Sequence, residues 1–273
     1  MTKSKDYLRQ IGIAEKQFAL LLDKLEQEIK NDLQINKIKN RGLSSKAMTT
    51  ELKLLLTLNY LRHYPIFSSL GVIFGISESY ANKIFHKTID YLLKFIRPKK
   101  TNELSLDDVC TVVIDVTEQE IERPVKKQKS YYSGKKKRHT MKAQLLVSQE
   151  SKMIYGVVSG KGKTHDFKMF KENKTRITPD VKILGDSGYQ GIKDIHTNSL
   201  TPVKKPKGKK LTKRQKLYNH LLSKKRIVVE NVIRRCKIFR ITKDVYRGKH
   251  KNHGKVWNLV AGLVNLRYAE SII

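Results

Sequence analysis

The run CTVVIDVT at residues 110–117 separates two parts of the chain that follow different patterns. Its consecutive β-branched residues predict a short strand. Before this run, apolar residues recur at helical spacing, whereas after it β-rich runs alternate with helical segments. The run therefore marks the start of an α/β domain with a mixed sheet, which follows an all-α region.

The segments after this run predict the order of elements in the α/β domain. Two apolar runs joined by the polar turn QES predict a hairpin, and a further apolar run ends in Gly-Asp. A short helix capped by Thr164 is predicted before that further run, and a long helical stretch, or two helices, begins at Thr212. The segments, in chain order, are MKAQLLVSQ, KMIYGVVSG, THDFKMFKEN, VKILGD, LTKRQKLYNHLLSKKRIVVENVIRRCKIF and a last amphipathic helix around KVWNLVAGLVNLRYAESI.

The region before the run contains a predicted helix-turn-helix unit. A short helix from about Ile66 to Phe74, a turn at Gly75 and a longer helix capped by Ser77 form this unit. The second helix of such a unit can enter the major groove of DNA, although an ordinary helical hairpin that only packs would give the same pattern. The residues expected near its base-facing end are Ser79, Tyr80, Asn82 and Lys83.

The chain is strongly basic, which favours a nucleic acid as its partner. It contains 57 Lys and Arg against 25 Asp and Glu, a formal net charge of +32. A polyanion relieves the self-repulsion of so large a positive excess. Two basic segments, VKKQKSYYSGKKKRHTMK and KKPKGKKLTKRQK, are predicted to be poorly structured loops that hold the DNA backbone. The residues singled out in the first segment are Lys135, Lys136, Lys137 and Arg138.

The cysteine content and the lack of a long apolar segment indicate the cellular compartment of the protein. Cys110 and Cys236 are too few and too far apart for a disulfide framework or a Cys-x-x-Cys metal site, and a reducing cytoplasm fits them. Neither a signal peptide nor a membrane span is predicted. We therefore expect a cytoplasmic protein, associated with the nucleoid of a bacterium.

Three carboxylates occupy positions where they could carry chemistry. Asp115 ends the run VVID, Asp186 ends ILGD, and Glu230 lies within the helical segment RIVVENVIRR. Acids from three separate segments could converge on two Mg²⁺ ions, the arrangement used for phosphodiester cleavage and transfer. Each acid alone could instead make a turn, a backbone hydrogen bond or an ion pair. Other acids compete with them, and these are Glu118, Glu120, Glu122 and Asp166.

Five segments in one order resemble those of DDE transposases of the insertion-sequence-five type, relatives of the eukaryotic Harbinger nucleases. YYSGKKKRHT and GDSGY are highly specific in combination, and the match runs from about Asp107 to the C-terminus. A helix-turn-helix at the N-terminus also occurs in that group. The five segments are VIDVTEQEIERP, YYSGKKKRHTMKAQLLV, KTHDFKMF, ILGDSGYQG and RIVVENVIRRCKIFR.

The resemblance implies an RNase H-like catalytic domain and identifies its site residues by position. Asp115, Asp186 and Glu230 match the two aspartates and the glutamate that would bind two Mg²⁺, with Mn²⁺ expected to substitute. The glutamate region of such transposases is Tyr-x-x-Arg-x-x-x-Glu, followed by six residues and Lys. Arg226 and Lys237 match its cations, and their spacing from Glu230 predicts one helical face and contacts to DNA phosphates. Two positions depart from the family pattern: Ser223 replaces the tyrosine, and Val116 stands where many relatives have glycine.

The resemblance implies a transposase that cleaves DNA at element ends and transfers the strand to target DNA. We expect a helical DNA-binding region at 1–100, with its helix-turn-helix at about 51–96, and the catalytic domain at 107–273. The partners would be the terminal inverted repeats, target double-stranded DNA and a second copy of the chain. Asp166 is expected beside the metal-binding acids without touching the metal, and His165 is expected to structure that turn. A non-catalytic DNA-binding regulator and a hydrolytic nuclease without strand transfer remain as alternatives.

Overall fold

A computed structural model of the chain describes residues 2–35, 48–98, 105–106, 109–172 and 177–269. The predicted boundary between the two domains, residues 101–106, lies mostly outside the described residues. The helices are α1 (Thr2–Gln10), α2 (Glu15–Ile35), α3 (Thr50–His63), α4 (Phe67–Phe74), α5 (Glu78–Phe95), α6 (Gln128–Tyr131), α7 (Asp166–Glu172), α8 (Lys213–Cys236) and α9 (His253–Ala269). The strands are β1 (Thr111–Glu120), β2 (Tyr132–Ser133), β3 (Arg138–Ser148), β4 (Ile154–Lys161), β5 (Lys182–Leu184) and β6 (Ser199–Leu200).

The helix-turn-helix follows the sequence prediction closely. α4 ends at Gly75, whose φ of 65° lies in the left-handed region that glycine adopts without strain. Ser77 then caps α5, because its hydroxyl accepts a hydrogen bond from the backbone N–H of Tyr80 over 3.3 Å. Both signals are local, and the predicted helix–turn–helix bounds are confirmed to within a residue.

Two compact units divide the chain, and they are not contiguous in sequence. Unit 1 comprises Met1–Arg97, Lys237–Asp244 and Asn258–Ile273, and unit 2 comprises Pro98–Cys236 and Val245–Trp257. The division expected at 1–100 and 107–273 did not anticipate the C-terminal segments of unit 1. Long-range hydrogen bonds join these segments to the N-terminal helices: the Gln17 amide donates to the Leu266 carbonyl over 3.0 Å, and the Arg62 guanidinium donates to the Ile238 carbonyl.

Unit 2 is built on a mixed sheet. β3 pairs antiparallel with β1 on one edge and with β4 on the other, and β2 also pairs with β3. β5 pairs parallel with β1, and β6 pairs parallel with β5. The predicted order of three strands, a helix, a further strand and then helices is observed, with the two-residue strands β2 and β6 added. The predicted α/β fold class, with a mixed-sheet domain that follows an all-α helix-turn-helix region in the chain, is confirmed.

The alternation of side chains along β1 divides its residues between two layers. Val112 and Ile114 face a core that includes Phe170 of α7 and Tyr189. The opposite face carries Asp115, and α8 packs against β1 and β3. β1 is therefore buried on both sides, which agrees with its continuous apolar start.

The basic segment before β3 is more ordered than its composition predicts. It contains α6 and β2, and Tyr132 and Ser133 of β2 pair with His139 and Arg138 of β3. The expectation of a poorly structured loop was wrong for these residues, because local charge does not report the strand pairing. The four-residue turn 134–137 between the two strands is an exposed loop, and so are residues 125–127 before α6.

A buried network of hydrogen bonds between uncharged side chains lies at the C-terminal end of β1, opposite to its apolar start. Gln119 Oε1 accepts hydrogen bonds from Trp257 Nε1 over 3.0 Å and from His253 Nε2 over 3.1 Å. Since an amide oxygen can only accept, the proton of His253 is on Nε2, and its Nδ1 accepts from Ser159 Oγ over 2.6 Å. Burial, with a smaller contribution from the nearby His250, lowers the pKa of His253 to about 3.

Across the described residues, every helix is too short or too polar to cross a bilayer.

Candidate active site

Asp115 lies in the middle of β1. The prediction that it ends a strand was wrong, because the pairing of β1 with β3 continues until Glu120 lies opposite Thr140. Asp115 itself lies opposite Leu145. One of its carboxylate oxygens, Oδ1, accepts a hydrogen bond from the backbone N–H of Val116 over 2.9 Å. The carboxylate is therefore held on a rigid element and not on a loop.

Asp186 follows β5 by two residues and begins a 3₁₀ turn at Ser187–Tyr189. Its Oδ1 accepts from the backbone N–H of Gly188 over 2.8 Å. A side chain at Gly188 would place its Cβ 2.9 Å from Asp186 Oδ1 and 3.2 Å from Asp166 Oδ2, so it would displace both carboxylates. β5 runs parallel to β1 with Leu184 opposite Val113. The chain therefore leaves the sheet on the Asp115 side of this pair, and Asp186 serves as both a turn residue and a strand-end carboxylate.

α8 supplies the third acid and a cation. It is a single helix, and Thr212 and Gln215 begin it: the Gln215 N–H donates to Thr212 Oγ1 over 3.2 Å, and the Thr212 N–H donates to Gln215 Oε1 over 3.0 Å. Glu230 is exposed on this helix. Arg226 lies one turn before Glu230, with Nη2 3.9 Å from Asp115 Oδ1. The Nε atom of Arg226 is buried and has no acceptor among the described residues.

Lys237 does not complete the expected helical face. α8 ends at Cys236, and Lys237 is grouped with unit 1. The offset of seven residues from Glu230 is a helical offset only while the helix continues. The predicted shared face therefore holds for Arg226 and Glu230, and not for Lys237.

Asp186 and Glu230 are close enough to Asp115 for their charges to affect its carboxylate. Burial raises the pKa of Asp115 to about 6, and the negative charges of Asp186 and Glu230 act in the same direction. The Val116 N–H and the Arg226 guanidinium oppose this rise without cancelling it. Segments separated in sequence thus bring three carboxylates into electrostatic contact around Asp115.

The chemistry of these acids fits a divalent cation. Mg²⁺ prefers hard oxygen ligands, and a bound cation would offset the repulsion that helps to raise the Asp115 pKa. Within the described ranges, no three Asp, Glu, His or Cys side chains lie close enough together, as they stand, to form a metal-binding group. The donor types and their electrostatics therefore support a cation at this position, while the carboxylates do not form a closed cluster.

The competing acids after the start of β1 have other partners. Glu118 and Glu120 point to the opposite face from Asp115, by alternation along the strand. Glu118 Oε2 accepts from Thr140 Oγ1 over 3.1 Å, and Glu120 Oε2 lies 2.7 Å from Nη1 of Arg138. Glu122, beyond the end of β1, is exposed. Spacing in the sequence did not separate these acids from Asp115, whereas the strand alternation does.

A buried lysine, which the sequence analysis did not identify, fixes Asp166. Lys142 Nζ lies 2.8 Å from Asp166 Oδ1 and donates to the Thr164 carbonyl over 2.7 Å. Gln144 Nε2 donates to the Asp166 carbonyl over 3.1 Å and to the Tyr189 hydroxyl over 2.8 Å. Burial raises the pKa of Tyr189 well above its usual value. This network holds Asp166 and the Asp186 turn against β3. In the sequence, its only sign is that Lys142 and Gln144 occupy alternate positions of a β-rich run, which places them on one face of the strand.

The residues expected to bind DNA belong to both units, and each group is described within its own unit. Tyr80 and Lys83 are exposed in the first turns of α5, and Asn82 is half-buried beside them. Lys135, Lys136 and Lys137 are exposed in the turn between β2 and β3, whereas Arg138 begins β3 and pairs with Glu120. His165 is exposed, immediately before α7.

Comparisons with known proteins agree with this architecture. A family profile described as "DDE superfamily endonuclease" matches residues 114–265, and one described as "Helix-turn-helix of DDE superfamily endonuclease" matches residues 46–95. A protein of Microchaete diplosiphon named "Probable transposase for insertion sequence element IS702" is 39% identical over 270 residues. That alignment covers 97% of this chain and 95% of the relative.

Proposed function

This chain belongs to the DDE superfamily of endonucleases and is homologous to a transposase along nearly its whole length; from that premise, we propose that it cleaves DNA at the ends of a mobile element and transfers the cut strand to target DNA. Asp115, Asp186 and Glu230 are the proposed catalytic acids. The observation that carries the proposal is that three separate segments, β1, the turn after β5 and α8, bring Asp186 and Glu230 near the buried Asp115. Burial raises the pKa of Asp115, and the charges of Asp186 and Glu230 add to that rise.

The three acids would hold Mg²⁺ as two ions, and Mn²⁺ would substitute for it. When bound, such ions activate the nucleophile and stabilise the leaving oxygen of a phosphodiester. Asp115, fixed in the sheet, and Asp186, fixed by its own turn, would orient the cations, and Glu230 would contribute from α8. Arg226 would hold a phosphate oxygen near Asp115, and Lys237 would contact the DNA backbone.

Two chemical steps make up the reaction. A water attacks the phosphodiester at the element end, so that one phosphorus–oxygen bond forms, another breaks and a 3′-hydroxyl is released. That hydroxyl then attacks a phosphodiester of the target DNA, joining element to target and releasing a target 3′-hydroxyl. Asp166, held by Lys142, would keep the Asp186 turn in position throughout.

The helix-turn-helix would recognise the terminal inverted repeats, with Tyr80, Asn82 and Lys83 facing the DNA. The exposed lysines of the β2–β3 turn, together with Arg138, would hold the backbone. Joining two ends to one target requires that both ends be held together, so we propose a dimer or larger assembly on DNA. The reaction would take place in the bacterial cytoplasm, at the nucleoid.

The proposal is tested by incubating the protein with Mg²⁺ and DNA that carries the ends of its element. We expect cleaved and joined products from the wild type and neither from Asp186→Asn or Glu230→Gln. Asp194→Asn is the matched control, because Asp194 is exposed in the same loop region as Asp186 and belongs to none of the proposed acids. Equal products from wild type and both acid variants would contradict the assignment.

The same experiment distinguishes two other functions. A DNA-binding regulator would bind the ends in every version and cut in none. A hydrolytic nuclease would give cleaved ends without joined products when target DNA is present.

A further inference from the structure

An open groove lies beside the outer strand β4 of unit 2 and is separate from the carboxylates. Its walls are β4, the outer side of α7, the end of α6 and the segment 250–254, and its volume is about 780 Å³. That volume lies in the range of sites that enclose one small molecule or one nucleotide. It is too small for a DNA duplex, whose major groove alone is about 12 Å wide.

Two aromatic rings form one wall of the groove. The rings of Tyr131 and His250 have centroids 4.8 Å apart, at an interplanar angle of 50°. Burial lowers the pKa of His250, which favours its uncharged imidazole. Met141 and Met169 add polarizable apolar surface. This wall suits a flat aromatic group such as a nucleobase.

Three lysines surround the rings. Lys161 Nζ lies 5.8 Å from the centroid of the Tyr131 ring, and Lys168 and Lys251 also line the groove. Lys168 pairs with Glu172 over 3.6 Å, and both side chains are well exposed. Among the residues that the structure describes, no carboxylate pairs with Lys161 or Lys251. The groove therefore combines a base-stacking wall with two cations that remain available for a phosphate.

The groove is anchored to the candidate active site through α7. Thr164 lines the groove, and its carbonyl accepts from Lys142, the same lysine that pairs with Asp166. Asp166 in turn flanks Gly188, beside Asp186. The groove and the Asp186 turn are therefore both linked to the start of α7, through Thr164 and Asp166.

We propose that this groove holds one unpaired nucleotide of the DNA strand next to the cleavage position, with its base against Tyr131 and His250 and its phosphate between Lys161 and Lys251. The inference rests on the proposed function, because it takes DNA as the substrate. A strand is favoured over a free nucleotide because Tyr131 directly precedes the β2–β3 hairpin, whose exposed lysines would hold the neighbouring backbone.

The test compares two DNA probes in EDTA, where binding needs no cleavage. One is a blunt duplex, and the other is the same duplex with a short single-stranded overhang. Tyr131→Ala should weaken binding of the overhang duplex by roughly tenfold, because stacking on one aromatic side chain contributes on that scale. Binding of the blunt duplex should change by less than about twofold, and Tyr131→Phe should bind both probes as the wild type does.

Tyr132→Ala is the matched control, since Tyr132 is the next residue, is 45% exposed and does not line the groove. It should leave both affinities unchanged. A 5-iododeoxyuridine in the overhang should crosslink under light to Tyr131 or His250. Equal weakening of both probes by Tyr131→Ala, no weakening of either, or crosslinks confined to other residues would overturn the inference. So would equal competition by a free deoxynucleoside monophosphate and by the overhang.

The two proposals can fail separately. If the wild type cuts element ends while Tyr131→Ala binds the overhang normally, only the groove inference is lost. If the wild type never cuts but Tyr131→Ala selectively loses the overhang, the groove stands and the proposed reaction falls.

Discussion

Asp115 and Gln119 lie four residues apart on the same face of β1, and their surroundings differ in charge and in hydrogen bonding. Gln119 is 2% exposed, and its amide oxygen accepts from His253 and Trp257. Asp115 is also largely buried, but its neighbours include two further acids, Asp186 and Glu230, and a cation, Arg226, whose Nη2 lies 3.9 Å from Asp115 Oδ1. The surroundings of Gln119, called the neutral end below, are uncharged and satisfied. The surroundings of Asp115, in the middle of the strand and called the acidic end below, hold unbalanced charge.

The difference separates residues that stabilise the fold from residues that destabilise it. A buried carboxylate with a raised pKa makes the native state less stable at neutral pH than an uncharged group of the same shape would. A buried, fully paired amide has no such effect. We therefore interpret the acidic end as retained for chemistry and the neutral end as retained for stability.

The largest expected effect is that of Asp115→Asn. Cleavage should fall by roughly 10³-fold or more, because the proposed acid is lost. Stability at pH 7 should rise by about 1–3 kcal/mol, the scale that corresponds to the raised pKa, since the buried charge is removed. Cleavage assays and urea unfolding of one preparation measure both. A variant that is inactive and also less stable would contradict the comparison, because it would make Asp115 a structural residue.

The next largest effect is that of His253→Ala at the neutral end. The variant removes the hydrogen bonds that His253 makes with Gln119 and Ser159 and opens a cavity, so we expect a loss of about 2–4 kcal/mol in the free energy of unfolding. Cleavage by the folded protein should persist. His220→Ala, at an exposed position of α8, is the control and should change stability by less than about 0.5 kcal/mol. Loss of cleavage without loss of stability would instead assign His253 to the active site.

The parts of the fold that the sequence predicted are those with local causes. The helix-turn-helix followed from Gly75 and Ser77, and the start of α8 followed from Thr212, because each of these residues interacts within four positions of itself in the chain. Asp186 was predictable for the same reason, as a carboxylate in a glycine turn after an apolar run. The family resemblance joined it to the other two acids.

The features of the structure that the sequence did not predict depend on contacts between segments that are distant in the chain. Gln119 and Trp257 are 138 positions apart, and neither carries a local signal for the other. The mid-strand position of Asp115 follows from the length of its pairing with β3, which no pattern within β1 reveals. Lys237 was placed on a helical face because spacing was extended beyond the point where α8 ends.

The third effect is that the free energy of unfolding depends on pH, with opposite signs around His253 and around Asp115. The folded-state pKa of His253 is lowered to about 3, so its contribution to stability is complete above about pH 6.5 and is lost as the pH falls. The stability difference between wild type and His253→Gln should therefore shift by about 2 kcal/mol against the wild type between pH 7 and pH 5. Urea unfolding across this range measures it, and a constant difference would contradict a buried neutral histidine.

Around Asp115, stability changes with pH in the opposite direction. The folded-state pKa of Asp115 is raised to about 6, so the native state binds the extra proton and gains relative stability as the pH falls below that value. The stabilisation by Asp115→Asn should be largest above about pH 6 and should disappear towards pH 4. If it stayed constant over that range, the gain would come from packing and not from charge.

The smallest effect tests whether the acidic end depends on the start of the helix that supplies Glu230. Thr212→Ala removes one half of the reciprocal pair with Gln215 and should lower stability by about 1 kcal/mol, with faster amide exchange in the first turn of α8. Thr212→Ser keeps the hydroxyl and should match the wild type. Because Arg226 lies about four turns further along the helix, cleavage should stay within about twofold. A larger loss of cleavage would mean that the acidic end is set by the whole of α8, and not by the local contacts around Asp115.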